Sequence, residues 1–112
     1  MNIEILNQLK PADALVAKNK KGITRIINHY VIYLGKGKFI GNLEEGVKLM
    51  SINDLSKLSL KYEIINIKPF EGNEIQRDEA LNRAYSKIGT KYNLLKFNCE
   101  HFASWVQKGI VI

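Results

Sequence analysis

Cys99 and His29 have the side chains needed for nucleophilic acyl chemistry. Cys99 is the only cysteine of the 112-residue chain and lies in the run Asn98-Cys99-Glu100-His101-Phe102. A cysteine thiolate is a strong nucleophile, and a histidine within hydrogen-bond distance can take the thiol proton. Cys99 is therefore a candidate nucleophile. The alternative reading of Cys99, that of a small buried hydrophobic residue, stays open at this point.

A short amphipathic helix is predicted to begin at Cys99. Asn98 is a favourable N-cap residue, and Gly109 can take the left-handed conformation that ends a helix. Phe102 and Val106 are spaced i,i+4 on one apolar face. A thiol in the first turn faces unpaired backbone N–H groups and the positive end of the helix dipole, so we expect the pKa of Cys99 to be lowered.

His29 lies near the start of a predicted strand, 28–34, which runs into a glycine-rich turn. Alternation along the strand places His29 on the face of Val31 and Tyr33. The other, more apolar face has Tyr30, Ile32 and Leu34. A histidine in such a strand is often a hydrogen-bonded structural residue, so it becomes a base only if the fold brings it to the thiol.

These segments together resemble the lecithin:retinol acyltransferase-like family, which is related to NlpC-type cysteine hydrolases and has a circularly permuted papain-like arrangement. Residues 98–102 resemble the family's nucleophile motif, and residues 29–35 resemble its histidine strand. Residues 11–16 are similar to its opening turn and strand, and residues 80–92 to the helix and Gly-x-x-Tyr stretch before the motif. The resemblance implies that Cys99 is the nucleophile and His29 the general base.

The resemblance also implies a substrate class. Family members include acyltransferases and phospholipases, so the expected partner is an acyl donor such as a phospholipid or an acyl thioester. More distant relatives cleave peptide or amide bonds, which leaves a cysteine amidase or peptidase as an alternative. A non-catalytic binding module on the same scaffold is the third possibility. No cofactor and no metal is expected.

One position departs from the family pattern. The family usually has a second polar side chain, commonly histidine, on the strand after the turn, and the corresponding spacing from His29 falls on Gly41. Asn42 is the nearest substitute, because an amide oxygen can accept the second imidazole N–H. Adjacent strand residues point to opposite faces, so Asn42 would need a bulge or a strand end near Gly41. His101 projects about 200° away from Cys99 around a helix and is expected to pack or cap instead.

The rest of the sequence alternates strand and helix signals. Strands are predicted over 13–18, 28–34, 38–42, 47–50 and 62–68, a helical turn with a capping box at 51–54, and a helix over about 75–88 that ends at Gly89. The buried face of that helix is predicted to contain Leu81, Ala84, Tyr85 and Ile88. This order predicts an α+β fold, an antiparallel sheet with packed helices, in a single domain spanning 1–112.

The chain is basic, with a formal net charge of +6. Lysines and an arginine cluster around Gly22 (Lys18, Lys20, Lys21, Arg25), and Lys36 and Lys38 flank Gly37. These clusters indicate either an ordinary solvated surface or peripheral contact with an anionic membrane. They lack interleaved aromatic residues, so no nucleic acid partner is expected.

No segment of the sequence is predicted to cross or enter a membrane. The first residues lack the pattern of a signal peptide, and no apolar run has transmembrane length. We therefore expect a soluble cytoplasmic protein. A single cysteine excludes an intrachain disulfide and a cysteine-based zinc site.

Overall fold

The computed structural model describes residues 3–20, 28–43, 45–58, 60–93 and 98–110. The strands are β1 (Ala14–Asn19), β2 (Asn28–Gly35), β3 (Lys38–Leu43), β4 (Gly46–Ser51) and β5 (Tyr62–Lys68), and the helices are α1 (Ile3–Gln8), α2 (Ile52–Leu58), α3 (Glu74–Ser86) and α4 (Cys99–Lys108). Every strand predicted from the sequence is present, within one or two residues at each end. The α+β class is confirmed.

The five strands form one antiparallel sheet in the order β4-β3-β2-β1-β5. Consecutive strands β1 to β4 are neighbours, and β5 returns to pair with the free edge of β1. This places β2, the strand of His29, in the middle of the sheet. Of the basic cluster predicted around Gly22, Lys18 and Lys20 are described, whereas Lys21 and Arg25 lie outside the described residues.

The two faces of the sheet are covered by different helices. The α4 face, defined by Tyr30, Ile32 and Ile40, packs against Phe102 and Val106 of α4. The opposite α2 face includes Leu15, Val31, Phe39 and Met50, and it packs against Leu55 of α2 and against α1 and the residue that follows it (Leu6, Leu9). The predicted packing of the cysteine helix on the sheet is therefore confirmed, and the thiol lies on the α4 face.

Helix α3 packs differently from the prediction. Ala84 is buried as expected and Leu81 is partly buried, but Tyr85 and Ile88 are 44% and 46% exposed. Ala80 is fully buried in their place. Small alanine side chains let α3 approach α4 closely, whereas the prediction also placed the larger Tyr85 and Ile88 on the buried face. Tyr85 is consequently left at the surface.

Helix α2 begins with the predicted capping box. The Asp54 carboxylate accepts the Ser51 N–H at 2.9 Å, and the Asp54 N–H donates to Ser51 Oγ at 3.2 Å. The helix continues to Leu58 and is longer than the single turn predicted. Helix α1 was not predicted. None of the described helices is long and apolar enough to cross a membrane.

Candidate active site

Helix α4 begins at Cys99 with its first turn fixed by Asn98. The Asn98 side chain accepts the backbone N–H groups of Glu100 and His101, each at 3.0 Å. In return the Asn98 N–H donates to Nδ1 of His101 at 3.0 Å. Both the N-cap and the predicted capping role of His101 are confirmed. The nucleophile candidate is thus held in a rigid turn.

The other end of α4 is also capped as the sequence predicts. Gly109 adopts the left-handed conformation, with φ of 75°. The Arg83 guanidinium from α3 donates to the carbonyls of Trp105 and Val106 at 2.8–3.1 Å. A cation at the last turn satisfies carbonyl groups that have no partner within the helix. Both ends of the helix that holds the thiol are therefore secured by neighbouring groups.

The thiol of Cys99 is buried among the apolar side chains of the α4 face, and only 8% of the residue is exposed. Burial raises the pKa of Cys99 above its usual value, and the Glu100 carboxylate acts in the same direction. Hydrogen bonds from the backbone N–H groups of Tyr30, Glu100 and Cys99 itself oppose this shift without overcoming it. The prediction of a lowered pKa is therefore wrong, because desolvation of the thiolate outweighs the helix N-terminus. A protonated thiol needs a base before it can attack.

The contact with the Tyr30 N–H locates the sulfur relative to the sheet. Tyr33 uses its backbone N–H and carbonyl to bond to the chain on the β1 side. Backbone groups alternate sides along a strand, so those of Tyr30 point toward β3. The pairing of β2 with β3 extends from the turn as far as Ile32 and Ile40. The sulfur of Cys99 thus lies on the β3 side of β2, just past the last paired residues.

His29 lies on the opposite, α2 face of the sheet. It pairs with Ala17 of β1, two positions along the ladder from the Leu15–Val31 pair, so its side chain is on the same face as those two residues. Its ring lies 4.6 Å from the ring of Tyr62, centroid to centroid. Burial lowers the pKa of His29, so the imidazole is neutral at physiological pH. The neutral form is the one that can accept a proton.

Nε2 of His29 is buried without a hydrogen-bond partner among the described residues. A buried polar atom without a hydrogen bond destabilises the folded protein unless another group supplies one. His29 directly precedes Tyr30, whose N–H contacts the thiol. The His29 side chain and the Cys99 thiol therefore lie near the same end of β2, although they are on opposite faces of the sheet.

Asn42 lies on the α4 face, with Cys99. The pairing of β3 with β4 is regular through Gly41–Lys48 and Asn42–Val47, so the bulge that would turn Asn42 toward His29 does not occur there. Asn42 is buried, with 1% of the residue exposed. The structure thus brings Asn42 to the side of the thiol and not to the side of the imidazole.

A side chain at position 41 would point to the face of the sheet where a second imidazole would be needed. A Cβ built on Gly41 would lie 3.6 Å from Cγ2 of Val31, which is on the face of His29. Its nearest neighbour would be the terminal methyl group of Met50, at 3.0 Å, and the Tyr30 carbonyl oxygen would lie at 3.7 Å. A histidine at this position would therefore share a face with His29, and the glycine leaves that place to the flexible Met50 side chain.

Sequence reasoning missed two groups at this site. The Tyr30 N–H contacts the thiol, and the Tyr62 ring packs on His29. Tyr62 comes to His29 through the pairing of β5 with β1, and Asn19 is its partner in that ladder. Such a contact joins residues far apart in sequence, so no local pattern indicates it.

A family model described as lecithin retinol acyltransferase matches residues 40–112. The chain belongs to the lecithin retinol acyltransferase family. The segment that matches this family extends from β3 through α4 and contains Gly41, Asn42 and Cys99, whereas His29 precedes it. No curated protein matches the sequence.

Membership in the lecithin retinol acyltransferase family confirms the resemblance that the cysteine motif suggested. It supports an enzyme of the acyltransferase or hydrolase type, with lipid acyl donors as the substrate class. The placement of Cys99 at a capped helix start is the feature of this chain that agrees most closely with such chemistry.

Proposed function

We propose that the protein is a cysteine acyltransferase or a lipid or thioester hydrolase that works through an acyl thioester on Cys99. The observation that carries this proposal is the convergence of backbone N–H groups on the sulfur at the capped start of α4. Donors preorganised in this way also stabilise negative charge that develops on an attacked carbonyl oxygen.

In the proposed first step, His29 takes the proton of the Cys99 thiol while the sulfur attacks the acyl carbonyl carbon. The C–S bond forms, the bond to the alcohol or thiol of the donor breaks, and the imidazolium gives its proton to that leaving group. In the second step an acceptor or water attacks the thioester and loses a proton to His29. The released thiolate then regains that proton.

The protonation states of the two groups fit this sequence. The pKa of Cys99 is raised and that of His29 is lowered, both chiefly by burial, so the resting pair is a neutral thiol and a neutral imidazole. Such a pair transfers its proton during the attack, as in general-base catalysis, and does not rest as a thiolate–imidazolium ion pair.

The mechanism requires the imidazole to reach the sulfur around the edge of β2. The sulfur lies beside the Tyr30 N–H, and the distance to His29 along the strand is a single residue. Rotation of the His29 side chain away from Tyr62, toward the place where β2 and β3 separate, would bring Nδ1 or Nε2 toward the thiol. Substrate binding would favour this rotation if it gave the buried Nε2 a partner.

Asn42 is proposed as a third site residue. Asn42 is on the same face of the sheet as Cys99, so its side-chain amide would contact the acyl group on the sulfur more directly than the imidazole of His29. The role assigned to it by analogy with papain-like enzymes, orienting the base, would need a rearrangement of β3.

Two other functions remain candidates. The same dyad acting on an amide would make the protein an amidase or peptidase of the NlpC type. A non-catalytic binding module is favoured by the separation of His29 and Cys99 on opposite faces.

Peripheral contact with anionic membranes and a cytoplasmic location complete the proposal for the enzyme.

Incubation with a panel of acyl donors followed by intact-protein mass measurement tests the proposal. The panel contains phospholipid micelles, acyl thioesters and activated amides. We expect one acyl mass on Cys99 that hydroxylamine removes, and no adduct on Cys99→Ala. Adducts from amides alone would indicate the amidase, and no adduct from any donor would indicate the binding module.

A further inference from the structure

A pocket lies at the end of β2 remote from Cys99. Its volume is about 420 Å³, and Gly35 is among the residues that line it. Gly35 is five positions along the strand from Tyr30, a distance of roughly 17 Å at the rise of a β-strand. The pocket is therefore distinct from the candidate active site.

Three lysines line this pocket, and no acidic residue is among its described lining residues. These are Lys10, Lys36 and Lys38. None of the three forms an ion pair with any carboxylate in the described part of the chain. Asp13 is close to Lys10 in sequence, but its carboxylate is buried, accepts two backbone N–H groups and lies 4.0 Å from Arg77. Within the described ranges, no carboxylate thus neutralises the cationic groups around the pocket.

The pocket also has an apolar side. Leu9, Pro11 and Leu34 line it together with Tyr85 of α3. Tyr85 is 44% exposed because α3 packs on α4 through its alanines. An exposed tyrosine ring beside lysines offers a surface for the organic part of an anionic ligand. The volume lies within the range of small-molecule sites.

We propose that this pocket binds a phosphate monoester, whose phosphate contacts the three lysines while its organic part packs on Tyr85. A phosphate monoester has a charge of about −1.5 to −2 at neutral pH and three acceptor oxygens. It therefore matches a pocket lined by three lysines better than a carboxylate with a single charge does. The same group occurs in soluble esters and in the headgroup of phosphatidic acid. The inference does not depend on the activity proposed for Cys99.

Two probes with the same headgroup test the proposal and separate its two sources. The soluble probe is glycerol 3-phosphate, followed by the amide resonances of the ¹⁵N-labelled protein. The membrane probe is phosphatidylcholine vesicles that contain phosphatidic acid, compared by co-sedimentation with vesicles of equal charge made with phosphatidylserine. We expect saturable shifts around Lys36 and Tyr85, or preferential binding to phosphatidic acid, or both. Binding to the vesicles alone would identify the lipid as the source.

The variant Lys10→Gln/Lys38→Gln removes two of the three contacts. It should weaken binding by about 100-fold, since each charge-assisted contact contributes on the order of tenfold. The matched control Lys57→Gln/Lys61→Gln loses the same net charge from exposed positions that do not line the pocket. Equal losses in both variants, equal binding to the phosphatidylserine vesicles, or no binding of either probe would overturn the proposal.

Discussion

Replacement of Asn98 tests how the start of α4 holds the nucleophile. Asn98→Ala removes two hydrogen bonds to the first turn, from the N–H groups of Glu100 and His101, and leaves those donors without the side chain that caps them. Loss of an asparagine N-cap costs typically about 1 kcal/mol, with a range of roughly 0.5–2. For a domain of this size, that corresponds to a fall of about 4 °C in Tm.

Asn98→Asp should keep the cap, because aspartate is an equally good N-cap residue. Its carboxylate would lie close to the thiol, however, and like charges disfavour the thiolate. The pKa of Cys99 should therefore rise further, and the pH profile of its alkylation should move to higher pH. Stability and thiol ionisation are thus changed separately by the two substitutions.

Urea unfolding and iodoacetamide kinetics between pH 6 and 10 measure these effects. The matched control is Asn73→Ala, because Asn73 caps α3 with the same capping-box geometry and is remote in sequence from the thiol. It should lose similar stability and leave the alkylation profile unchanged. An Asn98→Ala protein as stable as the wild type, or an Asn98→Asp profile that coincides with that of the wild type, would refute the reasoning.

Three further substitutions have expected outcomes. Burial lowers the pKa of His29 below 6.5. Below pH 6.5 the unfolded chain therefore binds a proton more readily than the folded chain, and the free energy of unfolding decreases as the pH is lowered. His29→Gln should flatten this part of the profile of unfolding free energy against pH. Arg83→Met should lower the urea-unfolding free energy by about 1–3 kcal/mol, because the carbonyls of Trp105 and Val106 lose a charged donor. Gly41→His restores an imidazole on the face of His29 and should speed acylation in a mass-spectrometric time course, since φ at position 41 is not positive; an unchanged rate would contradict the orienting role.

Local patterns predicted most of the elements because the determinants are local. Alternation places Val31 and Ile32 on opposite faces of β2, and an asparagine followed by an amphipathic run predicts the start of α4. The capping box at Ser51 likewise depends on residues three apart. Helix α1 was missed because it has only six residues, too few for an apolar periodicity to be recognised.

The errors concern packing between elements that are distant in sequence. The sequence indicates that Cys99 begins a helix, but not that the sheet buries its thiol deeply enough to raise the pKa. It indicates which residues share a face with His29, but not which face α4 covers. The exposure of Tyr85 has the same origin, since the close packing of α3 on α4 depends on both helices.

The central claim is that His29 is the base for Cys99, and single-turnover acylation of two histidine variants tests it most directly. His29→Gln removes the proposed base, whereas His101→Gln removes the other imidazole and keeps an acceptor suited to the capping box. With an acyl thioester in excess and the acyl adduct followed by mass, His29→Gln should be slower by about 10²- to 10⁴-fold. His101→Gln should stay near the wild-type rate. Equal acylation rates for His29→Gln and the wild type would contradict the account.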